Sequence, residues 1–154
     1  MLIRPSKQDD IATLQTVLNE TELFPSELLP DMMSNFLSEE ESLDVWLTCE
    51  ADGSAIGFCY AVPEALAEGA WNMLAIAASP AQQGTGCGKA IVSHLENELR
   101  KRGQRILIAD TSSADEFSKT RKFYHETGYK EEARIRDFWA TGEDKIVFWK
   151  SLSE

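Results

Sequence analysis

Apolar positions in the first forty residues recur with helical spacing. Those at residues 11, 14, 17 and 18 share one face, which predicts a helix that begins after Asp9 or Asp10. Phe24-Pro25 ends this helix, and Ser26 can cap a second one whose apolar face runs from Leu29 to Leu37. A short apolar segment, residues 2–5, precedes both and predicts an edge strand, where Pro5 is tolerated.

The spacing of apolar positions changes to two from residue 44 onward. Alternation over residues 44–50, an Asp52-Gly53 turn and a second alternating run over residues 55–62 together predict a β-hairpin. The largely apolar run at residues 71–78 is typical of a strand that is buried on both faces.

The second half of the chain predicts a helix between two buried strands. The helix runs from about Gly88 to Arg102, and the strand after it covers residues 105–110. A strand–helix–strand unit of this kind predicts parallel strands with a right-handed crossover. A short helix over residues 118–127 and two last strands, 131–139 and 144–150, complete the pattern. We therefore expect one α/β domain with a mixed sheet over residues 1–154.

Composition and charge narrow the classes of function. The net charge is −11, which disfavours nucleic acid as a partner because phosphate backbones are bound through Lys and Arg. An anionic cofactor would have to be held by local backbone dipoles and a few cations. No apolar run is long enough to span a membrane, and the N-terminus does not resemble a secretory signal, so we expect a cytoplasmic protein. The cysteines at 49, 59 and 87 lack metal-ligand spacing, which predicts free thiols and no metal.

A glycine-rich turn lies between the strand at residues 71–78 and the helix that follows. Its glycines, at positions 84, 86 and 88, let successive N–H groups point into one concavity at a helix N-terminus, which favours an anion such as pyrophosphate. The turn does not match the Walker motif, because Ala90 stands where that motif needs Ser or Thr. It does not match the dinucleotide-binding motif either, because Lys89 or Ile91 stands at the place of the third glycine. A tight turn without a ligand is the remaining alternative.

Two motifs in this region resemble those of the GNAT superfamily of N-acetyltransferases. Gln83-x-x-Gly86-x-Gly88 resembles its Q/R-x-x-G-x-G/A signature, and Phe123-Tyr124-x-x-x-Gly128-Tyr129 resembles its second marker. The order of predicted elements matches over nearly the whole chain. The resemblance implies a mixed, mostly antiparallel sheet of six to seven strands, splayed in the middle and flanked by about four helices. Segments at residues 110–113, 120–121 and 133–139 also resemble a bacterial, small-molecule-type subgroup of this superfamily, which supports the fold and says little about the acceptor.

The resemblance implies acetyl-CoA as the acyl donor and assigns it a binding site. Pantetheine would pair with the strand backbone at Ile76, Ala77 and Ala78. The pyrophosphate would lie on the turn and helix start, formed by Gln83, Gly84, Thr85, Gly86, Cys87, Gly88, Lys89 and Ala90. Arg121 could reach a phosphate, or could equally be a solvated helix residue.

Two residues are implied as catalytic. Tyr124 lies where the superfamily places its general acid, and a phenol can protonate a departing thiolate. The alternative for Tyr124 is a core tyrosine. Asp110, at the end of its strand, resembles the carboxylate that serves as base in some members; the alternative is a solvated strand-end acid. The sequence departs from the pattern at Phe117, where many members carry an Asn that holds pantetheine.

The acceptor is expected between the first two helices and the last pair of strands. Phe24, Trp71 and Trp139 would supply aromatic walls and Asp137 a carboxylate, which suits an amine of a small molecule or a peptide. We therefore expect an N-acetyltransferase that acts by direct attack of the amine. The alternative is a catalytically silent domain that binds acyl-CoA as a sensor or scaffold. Relatives commonly form homodimers, so the resemblance allows a homodimer without fixing the oligomeric state.

Overall fold

Seven strands form one sheet, in the order β1-β2-β3-β4-β5-β7-β6, within the residues that the computed structural model describes, 1–38 and 41–153. The strands are β1 (Leu2–Pro5), β2 (Val45–Ala51), β3 (Ser54–Pro63), β4 (Ala70–Ala78), β5 (Ile106–Ser112), β6 (Lys130–Ala140) and β7 (Glu143–Ser151). The α-helices are α1 (Ile11–Thr21), α2 (Leu29–Leu37), α3 (Cys87–Lys101) and α4 (Ser118–Glu126). This architecture confirms the predicted α/β class and its mixed sheet.

The helices cover both faces of the sheet. Helix α3 packs its apolar stripe, with Ile91, Leu95 and Leu99 fully buried, against one face. Helices α1 and α2 bury Leu14, Leu18 and Met33 among other apolar residues on the opposite face, beside β3 and β4. In the described parts of the chain, none of the helices has the length and apolar character needed to cross a membrane.

The sheet is split between β4 and β5. These two strands are the parallel pair, and their pairing runs only from Ala70↔Ile106 to Met73↔Ala109. Beyond that point β4 stays paired with β3, and β5 stays paired with β7. The backbone groups of β4 after Met73 that face β5 therefore line an open gap in the middle of the sheet.

A β-bulge in β4 lies at the mouth of this gap. Ala61 pairs with Met73 and Tyr60 with Ala75, so Leu74 has no partner on β3. A bulge inserts one extra residue and shifts the side chains that follow to the other face. Accordingly, Met73 packs in the core under α3, whereas Ala75 and Ala77 pack in the core under α1.

Candidate active site

The glycine-rich turn follows the end of β4 and leads into helix α3. Gly84 and Gly86 have φ values of 82° and 92°, a conformation that favours glycine. A Cβ atom at either position would meet nothing within 4 Å, so the side above the turn is open. The first amide groups of an α-helix have no partner inside the helix. Within the turn, the amides of Gln83 and Thr85 already donate to Pro80 and Gln82, over 3.3 and 3.2 Å, so the amides left for a ligand are those of the glycines and of the start of α3. Such a group of amides suits an anion.

Gly88 is present for a different reason. Its φ is not positive, but a Cβ atom would lie 3.1 Å from Cε1 of Phe123 in α4. A side chain here would push α3 and α4 apart, so glycine allows their close approach. The Gln83 side chain donates from Nε2 to the carbonyl of Ala78 over 3.2 Å and ties the turn to the end of β4.

A cavity of about 490 Å³ lies over this turn, between β4 and α4. Residues predicted for the cofactor that line it are Ile76, Ala77, Ala78, Gln83, Gly84, Gly86, Gly88 and Lys89. Residues from α4 that sequence reasoning did not assign also line it: Lys119, Thr120, Phe123, Glu126 and, just after the helix, Thr127. Lys89 and Lys119 add positive charge to the lining of this cavity, next to the backbone of the glycine-rich turn. We name this space the donor cavity.

Four residues predicted for the cofactor do not line the donor cavity. The side chain of Cys87 is buried beneath the turn, at 1 % exposure, and Thr85 and Ala90 also lie outside the lining. Arg121 donates from Nη1 to the carbonyls of Ser112 (2.6 Å) and Ala114 (2.8 Å). Its guanidinium thus ties the start of α4 to the end of β5.

A second cavity, of about 380 Å³, lies where the gap in the sheet reaches the side of α1. It is lined by Leu23, Met73, Leu74, Ala75, Ile76, Asp110, Thr111, Ser112, Phe117, Thr120, Tyr124, Trp139 and Glu143. Ile76 and Thr120 line both cavities, so the two spaces meet at these residues. We name this space the acceptor cavity.

Tyr124 and Asp110, the two residues predicted as catalytic, both line the acceptor cavity. Tyr124 is 3 % exposed and packs with Phe148 and Tyr129. Burial, together with the nearby Cys59 and Asp110, raises the pKa of the Tyr124 phenol above its ordinary value. The phenol therefore keeps its proton at neutral pH and can act as a proton donor.

Asp110 has one occupied and one free carboxylate oxygen. Its Oδ2 atom lies 3.3 Å from Nζ of Lys145 on the neighbouring strand β7. Its Oδ1 atom is buried and has no hydrogen-bond partner among the described residues. Because Oδ1 is closed to solvent, a group in the cavity would meet the Asp110 carboxylate only through its exposed part.

The residues predicted for the acceptor are only partly brought together. Trp139 lines the acceptor cavity and donates from Nε1 to the carbonyl of Thr111 over 3.2 Å. Trp71 lies toward the far end of β4, where it donates to Gln104 over 2.8 Å. Phe24 packs on Phe58 between the sheet and α1. Asp137 accepts from the amide of Gly142 in the β6–β7 turn, outside the cavity lining.

Several lining residues were not predicted, and some of them carry a signal in the sequence. Phe117 and Thr120 stand seven and four residues before Tyr124, and Lys119 stands four before Phe123, so helical spacing alone could have found them. Leu23, Leu74 and Glu143 lie in a connection, at the bulge and at the start of β7. Sequence periodicity carries no signal for those positions.

Fold and site together define an α/β protein that can hold an anionic ligand at a helix start beside a split sheet. The family model described as Acetyltransferase (GNAT) family matches residues 11–129. The chain therefore belongs to the GNAT acetyltransferase family and is an acyltransferase. A search of the curated proteins finds no match.

Similar solved structures cover almost the whole chain. A GNAT-family protein from Desulfovibrio desulfuricans has a TM-score of 0.91 at 23 % identity and covers 99 % of both chains. An aminoglycoside 6′-N-acetyltransferase, complexed with coenzyme A, has a TM-score of 0.82 at 17 % identity and covers 100 % of this chain and 98 % of its own. The ribosomal-protein-S18-alanine N-acetyltransferase of Escherichia coli has a TM-score of 0.79 at 20 % identity, with 99 % and 94 % covered. The TM-scores show that these proteins share the fold of this chain.

Proposed function

We propose that this protein transfers the acetyl group of acetyl-CoA to the primary amine of a small molecule, by direct attack within a ternary complex. The observation that carries the proposal is the meeting of the two cavities at Ile76 and Thr120. A thioester that enters from the donor cavity and an amine that enters from the acceptor cavity can meet there, within reach of Tyr124 and Asp110.

The donor would be held mainly by backbone groups. Its pyrophosphate would accept hydrogen bonds from the amides of Gly84, Gly86 and the first residues of α3, where the helix start adds partial positive charge, because the amides of Gln83 and Thr85 already donate within the turn. Lys89 and Lys119 would offset the charge of the phosphates. The pantetheine arm would lie along the free edge of β4 from Ile76 to Ala78. These local groups favour an anion although the chain has a net charge of −11.

The chemistry requires no covalent enzyme intermediate. Burial raises the pKa of the Cys87 thiol, with Cys49 adding to the shift, so Cys87 is a poor nucleophile. The amine nitrogen instead forms a bond to the thioester carbon, and the carbon–sulfur bond breaks. A free backbone N–H beside the bulge at Leu74 would stabilise the oxyanion.

Two side chains handle the protons. The acceptor arrives as an ammonium, and Asp110 takes the proton that must leave before the nitrogen can attack. The departing thiolate takes a proton from the phenol of Tyr124. The attacking nitrogen releases a second proton as the tetrahedral intermediate collapses, which restores the phenol. Each turnover therefore releases one proton, together with an amide and free CoA.

Calorimetry tests binding of the donor first, and a thiol-release assay then tests acetyl transfer. Titration with CoA and with acetyl-CoA should give saturable heat, and a panel of primary amines should then release CoA from acetyl-CoA. Absence of heat from both nucleotides would end the proposal at its first step. Saturable binding with no turnover on any amine would instead favour the acyl-CoA sensor.

A further inference from the structure

Large apolar side chains from separate segments converge on the acceptor cavity. Leu23 from the α1–α2 connection, Leu74 from the β4 bulge and Trp139 from the end of β6 are 42 %, 53 % and 47 % exposed. Phe117, half-buried, extends this apolar lining toward Tyr124. Exposed apolar side chains that converge on one cavity are a signature of a ligand with an apolar part.

The polar end of the same cavity carries two carboxylates, those of Asp110 and Glu143. The Asp110 side chain is 17 % exposed, and its Oδ2 atom lies 3.3 Å from Nζ of Lys145, whose ammonium also lies 4.4 Å from the ring centre of Phe138. Glu143 accepts a hydrogen bond from Ser112 over 2.6 Å through Oε1 and has no salt-bridge partner among the described residues. An ammonium group that enters the cavity therefore meets an anionic end.

We infer that the acceptor is an amine that carries a bulky apolar group, such as an arylalkyl or branched alkyl amine. This inference rests on the proposed function and names the substrate class of the same site. The ammonium would bind at the carboxylate end of the cavity, beside Asp110 and Tyr124, and the apolar group would cover Leu23, Leu74 and Trp139. A volume of about 380 Å³ is at the small end for a ligand cavity, which fits a molecule of this size.

Amines with several hydroxyl groups fit this cavity less well. Hydroxyls that lie against Leu23, Leu74 and Trp139 would lose their water without gaining hydrogen-bond partners there.

Matched amines test the inference. We would compare kcat/KM for 2-phenylethylamine and 3-methylbutylamine with that for 2-aminoethanol and kanamycin, all with acetyl-CoA. The two apolar amines should exceed the two hydroxylated ones by a factor of about 10 or more, since each burial or lost hydrogen bond changes the ratio by about that much. Equal or faster turnover of the hydroxylated amines would overturn the inference.

A variant pair locates the effect. L23S should lower kcat/KM for the apolar amines several-fold more than it lowers kcat/KM for the hydroxylated amines. L28S is the matched control, because Leu28 is 48 % exposed but does not line the cavity. Equal effects of the two variants would contradict the assignment. If no amine is turned over, the proposed function fails, and calorimetric binding of the same amines with CoA present still decides which class the cavity prefers.

Discussion

The ring of Phe123 lies directly over Gly88, where a Cβ atom would come within 3.1 Å of its Cε1 atom. Both residues line the donor cavity, one from the start of α3 and the other from α4. The width of that cavity therefore depends on the absence of a side chain at position 88, and this dependence can be measured.

Replacing Gly88 with Ala should weaken CoA binding with little change in stability. The added methyl must displace the Phe123 ring, which lines the donor cavity and would narrow it, so we expect roughly a tenfold higher Kd by calorimetry, or about 1.4 kcal/mol of binding free energy. The strain of this contact is present with and without CoA, and it is opposed in the thermal midpoint by the preference of a helix for alanine over glycine, about 1 kcal/mol. G103A is the control: Gly103 has a φ of 74° and open space around it, so this variant should lose stability and keep its CoA affinity. Equal affinities of G88A and the wild type would contradict the prediction.

Replacing Tyr124 with Phe should separate catalysis from binding. The ring keeps its packing against Phe148, but the phenol proton is lost, so kcat should fall by about 100-fold while the Kd of CoA stays within about twofold. Y129F is a matched control, because the Tyr129 hydroxyl bonds Glu96 over 2.8 Å and does not line either cavity. Y129F should lower the thermal midpoint and leave kcat near the wild-type value. A Y124F enzyme with full activity would remove Tyr124 from the mechanism.

The pH dependence of the rate should lack a descending limb in the mildly alkaline range. Burial raises the pKa of Tyr124, so the proton donor is retained at higher pH than an exposed tyrosine would allow. The proposed acceptor binds as its ammonium, which a primary amine keeps up to about pH 10. We therefore expect kcat/KM to stay level from neutral pH up to about pH 10. A decline below that pH in the wild type, absent from Y124F, would show that the phenol ionises earlier than burial implies.

Replacing Lys119 with Gln should weaken CoA binding in a salt-dependent way. Lys119 lines the donor cavity, and the loss of one cation beside phosphate groups should raise the Kd about three- to tenfold at low ionic strength. The difference should shrink in 0.5 M salt, because screening weakens the charge interaction. K101Q is the control, because Lys101 is exposed at the far end of α3 and does not line the cavity, so its Kd should match the wild type. A similar loss in both variants would point to net charge alone.

Local signals made the donor side predictable from the sequence. Gly84, Gly86 and Gly88 lie within a few residues of a strand end and a helix start, so their spacing alone defines the turn. Alternation and helical spacing likewise placed the seven strands and four helices of the described chain in the correct order. Elements of this kind depend on neighbours along the chain, which a sequence displays directly.

The acceptor side depends on contacts between distant segments and was less predictable. Trp71 and Ile76 belong to the same strand, but five residues of extended chain separate them by about 17 Å, so only Ile76 reaches the cavity. Leu74 enters the lining because the register with β3 slips at that point, and a register is a property of two strands together. The pairing of Asp110 with Lys145 joins two strands that are far apart in sequence, so no local pattern predicts it.

Because β4 separates from β5 after Met73 and Ala109, the gap between them is open toward both faces of the sheet. An acyl thioester that enters from one face and an amine that enters from the other would not have to pass each other. Free CoA could then leave through the first opening while the acetylated amine leaves through the second. An inhibitor that occupies both openings would gain binding energy from each, and its length would be set by the thickness of a single β-sheet.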